Sequence, residues 1–434
     1  MAHIVAFLAR ERDLINTTAI CQHWRTILLS FPRLWCNAGG SSSEIQAYIE
    51  RSKSTPIDVN LSSLELAELI VPHTSRLTGL TVRLADNYSF SQIEKYLRHP
   101  IPTLHTFRIS AVSQLHTLEF PPSLYGHFCL HSKKLEIRGI SAFRGPQTFP
   151  HVTELTLHTN ANLSMSTDRL LGTLEQLPVL ERVHITFLAD VYTDPNPRVV
   201  TLPHLQEMNL YMARTGVHLP HILEYLRLPE LTSLCVQAMS RLITFRPVFP
   251  VTAFDERLPN FAKLPELQVD MSSGEITFQS PSQASLRYLT RPLANYDSHE
   301  RIFWKELPLH SVRRLTVNLA LPPTRQELEW FIGLLRDLRF LEHLEFGGEC
   351  GCAIQFLRYE VARKAISLRI QTLTVRCGEY ARRRALWLKK CLFDTAGLNV
   401  TLICIPDPGV HEEGEAEMDT DSFSDGSDKN DGLG

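Results

Sequence analysis

Val152-Thr153-Glu154-Leu155-Thr156-Leu157 is the stretch that decides the fold, because its apolar residues follow the phrase L-x-x-L-x-L. Leu155 and Leu157 alternate with polar residues, and this period of two places both on one face of a β-strand. The phrase returns along most of the chain with Val, Ile, Phe or Met in place of leucine. Its further copies are Leu77-Leu80-Val82, Leu104-Phe107-Ile109, Leu180-Val183-Ile185, Leu205-Met208-Leu210, Leu231-Leu234-Val236, Val312-Leu315-Val317, Leu341-Leu344-Phe346 and Ile370-Leu373-Val375.

The middle positions of successive copies are separated by a nearly constant interval. They fall at Leu155, Val183, Met208 and Leu234, and again at Leu315, Leu344 and Leu373. The interval between Leu234 and Leu315 is close to the length of three further repeats, of which Leu264-Leu267-Val269 looks like one. Each step is roughly 25 to 29 positions long, which is typical of leucine-rich repeats that combine a strand with a helix.

Helical patterns fill the intervals, most clearly at residues 167–177, 324–335 and 380–392, and a last strand is predicted at 399–405. One repeat cannot bury its apolar edge alone, so neighbouring repeats must stack. The sequence therefore predicts an α/β repeat fold, a curved leucine-rich-repeat solenoid over residues 63–405. The alternative is a doubly wound α/β domain. The regular spacing and the lack of a glycine-rich phosphate loop after the early strands favour the solenoid.

Composition separates the body of the chain from its end. Residues 410–434 contain nine acidic residues and one lysine, which leaves 43 basic and 38 acidic residues elsewhere. We expect residues 406–434 to form a disordered acidic tail, because their composition cannot support a core. The small basic surplus of the body does not indicate nucleic-acid binding, which requires clustered positive charge.

Targeting signals and membrane spans are not found in the sequence. The first apolar run is followed by Arg10, Glu11, Arg12 and Asp13, where a signal peptide would have its cleavage site. No apolar stretch approaches the roughly 20 residues that cross a bilayer. We therefore expect an intracellular protein, in the cytoplasm or nucleus, with no membrane partner and with reduced cysteines.

The N-terminal residues predict a short helical segment. Ile20, Trp24, Ile27, Leu28 and Phe31 have the spacing of one helix face, and Leu34-Trp35 follow as an apolar anchor. A connecting helix and a first strand are predicted within residues 39–62, which divides the chain into 1–38, 39–62, 63–405 and 406–434.

The N-terminal region from His3 to Ile57 resembles the F-box family and the segment that follows it. The stretches that match the F-box are His3-Ile4-Val5-Ala6-Phe7-Leu8, Arg12-Asp13-Leu14, Ala19-Ile20-Cys21-Gln22-His23-Trp24-Arg25 and Leu34-Trp35. The segment Glu50-Arg51-Ser52-Lys53-Ser54-Thr55-Pro56-Ile57 is similar to one that follows F-boxes in mushroom-forming fungi. The family's opening L-P-x-E-[IL]-L segment is absent, so the F-box is expected to be N-terminally truncated.

The resemblance implies a substrate-recognition adaptor of a Skp–cullin–F-box ubiquitin ligase. In that family the F-box docks on the Skp subunit and the repeats hold the target protein. The family positions present here, which the resemblance implies as Skp-binding, are Leu14, Cys21, Trp24 and Trp35. The alternative is a stand-alone leucine-rich-repeat scaffold that has lost its coupling to the ligase.

The strand residues that alternate with the apolar ones predict the target-binding concave face. They are Thr156, His158, His184, Thr186, Asn209, Tyr211, Gln237, Asn318, Glu345 and Arg376. These side chains are mostly polar with little net charge, which indicates protein recognition.

Enzymatic motifs are not found. The histidines His116, His127 and His131 lie close together, but without the H-E-x-x-H spacing of a zinc site. The chain also has no G-x-S-x-G elbow and no Walker loop. We therefore expect a protein that is not an enzyme, with no cofactor, no metal and no catalytic residues.

Overall fold

The computed structural model describes residues 11–62, 65–84, 100–111, 131–139, 149–158, 165–187, 191–192, 198–212, 222–238, 254–262, 265–272, 275–279, 285–290, 309–319, 325–348, 350–362, 370–376, 379–396 and 398–405. The predicted acidic tail, 406–434, lies outside these residues, and so do residues 1–10 of the predicted F-box-like segment. The division into four domains stays a prediction.

The described residues form an α/β fold with a mostly parallel sheet and several helices. In chain order the α-helices are α1 (Glu11–Ile20), α2 (Gln22–Leu29), α3 (Ser42–Arg51), α4 (Glu65–Ile70), α5 (Thr167–Glu175), α6 (Phe254–Arg257), α7 (Pro259–Ala262), α8 (Arg325–Asp337), α9 (Gly351–Ala362) and α10 (Glu379–Ala396). Short 3-10 helices occur at Pro32–Trp35, Val71–Arg76, Ile222–Tyr225 and Leu309–Ser311. None of the described helices combines the length and the apolar character that crossing a bilayer requires.

The strands are β1 (Asn37–Ala38), β2 (Ile57–Leu61), β3 (Leu77–Leu84), β4 (Thr106–Ala111), β5 (Lys134–Arg138), β6 (Glu154–His158), β7 (Met165–Ser166), β8 (Arg182–Phe187), β9 (Val191–Tyr192), β10 (Val200–Thr201), β11 (Glu207–Met212), β12 (Leu226–Arg227), β13 (Ser233–Ala238), β14 (Glu266–Ser272), β15 (Glu275–Gln279), β16 (Ser285–Thr290), β17 (Arg314–Leu319), β18 (His343–Gly348), β19 (Thr372–Arg376) and β20 (Thr401–Ile405). Sixteen of them form one sheet in the order β1-β2-β3-β4-β5-β6-β8-β11-β13-β16-β15-β14-β17-β18-β19-β20. β7 with β9, and β10 with β12, form separate two-stranded pairs.

The repeated phrase explains both the strand order and the register. A parallel pair needs a crossover of roughly a dozen or more residues, and the interval between successive phrases provides it. Leu155 pairs with Val183, Val183 with Met208 and Met208 with Leu234, so the middle positions of the phrase stand side by side. The strands predicted from the phrase are therefore confirmed.

The core lies against one face of this sheet. Along β6 the residues alternate between half-buried and buried, with Leu155 and Leu157 buried. The same two positions of each phrase are buried on β8, β11, β13, β17, β18 and β19. Full burial of such a side chain stabilises the fold by about 1.5 to 3 kcal/mol, so the stacked apolar rows are the main source of stability.

β5 is one of the strands of the sheet that were missing from the prediction. β5 lies between β4 and β6 and buries Leu135 and Ile137 in the positions that the phrase gives to leucine. The first position of its phrase is Ser132, which is fully buried although it is polar. Because a polar residue occupies this position, the apolar pattern of the sequence did not reveal this copy of the phrase.

The interval between β13 and β17 corrects a second expectation. Three described strands lie in it, as its length suggested, but they stand in reversed order, and one of them, β15, runs against the parallel array. β14 pairs antiparallel with β15 and β15 antiparallel with β16, so β14 stands beside β17 and β16 beside β13. Ser272 is paired with Glu275, and a two-residue connection of this kind permits only antiparallel pairing. Ser273-Gly274 is a hairpin signal in the sequence.

The helices predicted at 167–177, 324–335 and 380–392 correspond to α5, α8 and α10. Among the described residues, α9 also fills the interval between β18 and β19, whereas the only helix between β11 and β13 is a 3-10 helix. Repeats with a full helix therefore lie mainly at the C-terminal end of the described sheet.

The N-terminal helix predicted through Ile20 and Phe31 is two helices. Cys21 has extended backbone, at φ −156° and ψ 164°, and separates α1 from α2. Its Sγ accepts a hydrogen bond from the Trp24 backbone N–H at 3.5 Å, which caps α2. Ile20 therefore ends α1 and does not share a helix with Trp24.

Candidate functional site

Two of the four residues implied as Skp-binding are in the core of this chain. Trp35 is fully buried, and its Nε1–H donates to the Leu28 carbonyl at 3.0 Å. Its ring packs edge-on against Tyr48 at a centroid distance of 5.2 Å, and the Arg51 guanidinium lies 4.4 Å from the ring centroid. Leu14 is also buried. In the chain by itself, Trp35 and Leu14 hold the N-terminal helices on the fold.

The other two residues implied as Skp-binding are accessible. Cys21 is exposed at the start of α2, and Trp24 is half-buried one turn later. Two large apolar side chains that border α2 are also exposed, Ile20 at 69% and Phe31 at 52%. The side chains of Ile20, Cys21, Trp24 and Phe31 are therefore accessible to a partner.

The predicted target-binding residues of β6, β8, β11 and β13 lie in two adjacent rows on the polar face of the sheet. The inner row is Glu136, Thr156, His184, Asn209 and Cys235, and the outer row is Arg138, His158, Thr186, Tyr211 and Gln237. Thr186 is buried, at 6% exposed, and the other predicted members are half-buried. These residues are brought together over four neighbouring strands.

The remaining predicted residues form a second group on β17, β18 and β19. Asn318 and Arg376 share a row, with Gly347 between them. Glu345 lies in the next row, and its Oε1 accepts from Arg376 Nε at 2.5 Å. The meander of β14, β15 and β16 separates this group from the first, so the predicted face consists of two patches.

His158 and His184 form the most distinctive contact of the first patch. Their ring centroids are 6.0 Å apart, and His184 Nε2 lies 3.2 Å from Thr186 Oγ1. Burial lowers the pKa of His158, and the positive charges of Arg138 and His184 lower it further. Burial also lowers the pKa of His184, partly opposed by Glu207. In the folded chain both rings therefore bind a proton less readily than a free histidine side chain, and a proton on His184 disfavours protonation of His158.

The double variant His158→Gln, His184→Gln is expected to lose less stability on acidification than the unchanged chain. The unfolded histidines titrate near their ordinary pKa of 6.5, whereas the folded ones titrate lower. Their contribution is present above pH 6.5 and is lost as the pH falls below that value towards the folded pKa. The urea midpoint at pH 7.5 and pH 5.5 measures this difference. His23→Gln, at an exposed histidine outside the sheet, is the control and should retain the full drop. An equally steep drop in the double variant would contradict the assignment.

A cavity that the sequence did not predict opens on the polar face of the first strands. Its volume is about 650 Å³, within the range of small-molecule sites. The lining residues are Asn37, Ala38, Asp58, Val59, Asn60, Gly79, Thr81, Arg83, Arg108, Ile109, Ser110, Glu136 and Arg138. Most are polar-face residues of β2 to β5, in the rows that continue into the first patch.

Charged residues of adjoining strands meet in this cavity. Glu136 Oε2 accepts from Arg108 Nε at 3.0 Å, and Glu136 Oε1 accepts from Arg138 Nε at 2.6 Å. Arg108 follows the apolar residue Phe107 in the predicted phrase of β4, so this position could have been read from the sequence. Arg138 and Glu136 were missed together with β5.

A metal site is not found among the described residues, since no three of their His, Cys, Asp and Glu side chains are grouped to hold an ion. Of the three clustered histidines, His116 and His127 lie outside the described residues. His131 is exposed and stacks on His151 at 6.2 Å. Within the part of the chain described, this stacked pair does not gather other metal ligands.

No protein-family model and no curated protein sequence matches this chain. The function is therefore argued from the surfaces described above and from the F-box resemblance of the N-terminal region.

Proposed function

We propose that this chain is a non-enzymatic, intracellular substrate-recognition adaptor of a Skp–cullin–F-box ubiquitin ligase. The N-terminal helices dock on the Skp subunit, and the polar face of the sheet binds a target protein. The observation that carries the proposal is the presence of two different surfaces. Exposed apolar side chains lie on the F-box-like helices, whereas the strands present half-buried polar side chains.

The sheet is proposed to belong to a curved leucine-rich-repeat solenoid with the F-box-like helices as its N-terminal cap. Outside the meander of β14, β15 and β16, the parallel strands follow chain order and most of them carry the same phrase in register, which supports this architecture. β1 pairs with β2, and β2 pairs with β3, which joins the residues after the F-box-like helices to the repeats. In a solenoid of this kind the polar strand rows lie on the concave side, where the two patches would bind the target.

Co-purification with a Skp subunit from a mushroom-forming fungus tests the proposal. The unchanged chain should retain the Skp subunit, and the double variant Ile20→Asp, Phe31→Asp should weaken its binding by more than about 10-fold, since large anchors provide most of the energy of such interfaces. Charged side chains at these exposed positions should leave the fold intact.

Phe340→Asp is the matched control. Phe340 is 54% exposed, close to the 52% of Phe31, but it lies beyond α8, far along the chain from the F-box-like helices. It should bind the Skp subunit as the unchanged chain does. Folded protein that fails to retain the Skp subunit, or equal losses in both variants, would argue against the adaptor role.

The second candidate is a stand-alone leucine-rich-repeat scaffold without coupling to the ligase. The burial of Trp35 and Leu14 favours it, because these two family positions contact the chain's own core and are not exposed for a partner. Under this alternative the chain binds its target through the polar face but does not retain the Skp subunit. The co-purification experiment therefore separates the two functions.

A further inference from the structure

Three arginines from three successive strands line the same cavity on the polar face. Arg83 on β3 and Arg138 on β5 share the outer row, where Ser110 of β4 stands between them. Arg108 lies in the next row on β4. Neighbouring strands are about 4.8 Å apart, so Arg83 and Arg138 flank the small Ser110 side chain from two sides.

Glu136 orients two of these guanidinium groups. Each of its carboxylate oxygens accepts from the Nε of one arginine, Arg108 on one side and Arg138 on the other. Arg108 is 49% and Arg138 57% exposed, so both reach the open cavity. A guanidinium has five N–H donors, and within the described residues the bonds to Glu136 engage only Nε. The terminal nitrogens of both groups remain donors for a ligand.

Small residues form part of the cavity floor beside the arginines. Gly79 of β3 is paired with Asp58 of β2 in one row, and a Cβ at Gly79 would lie 2.5 Å from Asp58 Oδ1. Ser110 and Thr81 provide hydroxyl groups on the same floor. The lining therefore combines small polar groups with a rim of N–H donors, and the Asp58 carboxylate, which also lines the cavity, accepts a hydrogen bond from Thr78 Oγ1 at 2.8 Å.

We propose that this cavity is a binding site for a phosphate monoester group. A phosphate monoester carries a charge of about −1.5 to −2 at neutral pH and three acceptor oxygens, enough to bridge the guanidinium groups of Arg83, Arg108 and Arg138. A carboxylate has one charge and two oxygens, and Glu136 already provides such a group. The phosphate belongs either to a free small molecule or to a phosphorylated side chain of the target protein.

The positive potential extends beyond the lining residues. His158 is the neighbour of Arg138 in the outer row, and after burial the charge of Arg138 is the next cause that lowers the pKa of its ring. An anion bound beside Arg138 would oppose this effect. The proposal does not require the ligase-adaptor function, because the ligand binds to the chain itself.

Calorimetric titration of the full chain with inorganic phosphate at low ionic strength tests the site. We expect saturable binding that Arg108→Gln and Arg138→Gln each weaken by about 10-fold, as expected for the loss of hydrogen bonds between charged groups. Arg83→Gln should also weaken binding. Glutamate, titrated as the carboxylate probe, should bind more weakly than phosphate.

Arg182→Gln is the matched control, because Arg182 is 44% exposed and forms an ion pair with Glu154 on the same face, outside the cavity. It should bind phosphate within about two-fold of the unchanged chain, since rim charges act mainly through a screened field. Equal weakening in Arg182→Gln, no saturable phosphate binding, or glutamate binding as tight as phosphate would each overturn the proposal. Phosphate binding is compared only among variants whose thermal unfolding midpoint matches that of the unchanged chain.

A second pair of titrations identifies the source of the phosphate. A mixed-sequence phosphoserine peptide library is compared with its unphosphorylated counterpart and with inorganic phosphate. Tighter binding of the phosphorylated library than of inorganic phosphate, with the same loss in Arg138→Gln, indicates a phosphorylated target protein. Binding of the library no tighter than inorganic phosphate indicates a free small molecule. Phosphorylated and unphosphorylated libraries that bind equally would count against a phosphate site.

Discussion

Replacing Trp35 with alanine is expected to lower the free energy of unfolding by about 3 to 5 kcal/mol, the range for deletion of a large buried aromatic side chain. The ring is fully buried against Tyr48 and Arg51, and its loss would leave a cavity between α3 and the preceding 3-10 helix. The hydrogen bond that the indole N–H donates to the Leu28 carbonyl at 3.0 Å would also be lost. Urea unfolding followed by circular dichroism measures the change.

Trp35→Phe separates packing from hydrogen bonding. It keeps an aromatic ring beside Tyr48 but removes the indole N–H, and the Leu28 carbonyl then keeps the Phe31 backbone N–H at 3.3 Å. A smaller loss of about 1 to 3 kcal/mol is expected from the lost hydrogen bond and the reduced volume. Amide hydrogen exchange over residues 11–61 should show where the loss acts, because the proposed repeat architecture would make stability nearly local. A loss below about 1 kcal/mol in Trp35→Ala would contradict the packing seen here.

This burial changes how the F-box resemblance can be tested. A variant of Trp35 that fails to bind the Skp subunit would report a disordered N-terminal segment as much as a lost contact. Ile20 and Phe31, which are exposed, allow a contact to be removed without opening the core. The adaptor proposal therefore depends on the exposed residues of α1 and α2 and on the residues that border them.

The sequence predicted the parallel strands because the period-two pattern and the core face have the same cause. Leu155 and Leu157 are buried because one face of the strand packs in the core. The same requirement produces the alternating apolar pattern by which the strand was predicted. β5 was missed because Ser132 takes the first apolar position of its phrase, and in the described residues its buried Oγ has no hydrogen-bond partner. Parallel pairing with β4 on one side and β6 on the other stabilises β5 despite the polar residue.

The cavity and the two-patch polar face could not be predicted because both depend on which strands become neighbours. Arg83 and Arg138 are distant in the chain, and only the insertion of β4 between β3 and β5 brings them to one site. The separation of Gln237 from Asn318 depends in the same way on the antiparallel β15. A repeat pattern indicates which face a residue occupies, but it does not indicate the neighbours across the sheet.

Gly348→Ala is expected to destabilise the chain by about 3 kcal/mol or more, from backbone strain and a steric clash together. Gly348 ends β18 at φ +69°, in the left-handed region that costs other residues about 1 to 2 kcal/mol. A Cβ at this position would overlap the backbone carbonyl oxygen of Leu319, the residue paired with Gly348 on β17. The carbonyl cannot turn away without disturbing the β17–β18 ladder. Thermal melting and the urea midpoint measure the loss.

Gly347→Ala is the control, because it adds the same methyl group one residue earlier in the same strand. Its Cβ would lie 2.6 Å from Asn318 Oδ1, the end of a side chain that can rotate, so a loss within about 1 kcal/mol is expected. Equal losses at the two glycines would show that the end of β18 yields easily and that the clash at Gly348 is relieved. Since Asn318 belongs to the second polar patch, Gly347→Ala should also displace a side chain proposed to contact the target while leaving the fold intact. A fall in target binding at unchanged stability would then place that contact on β17.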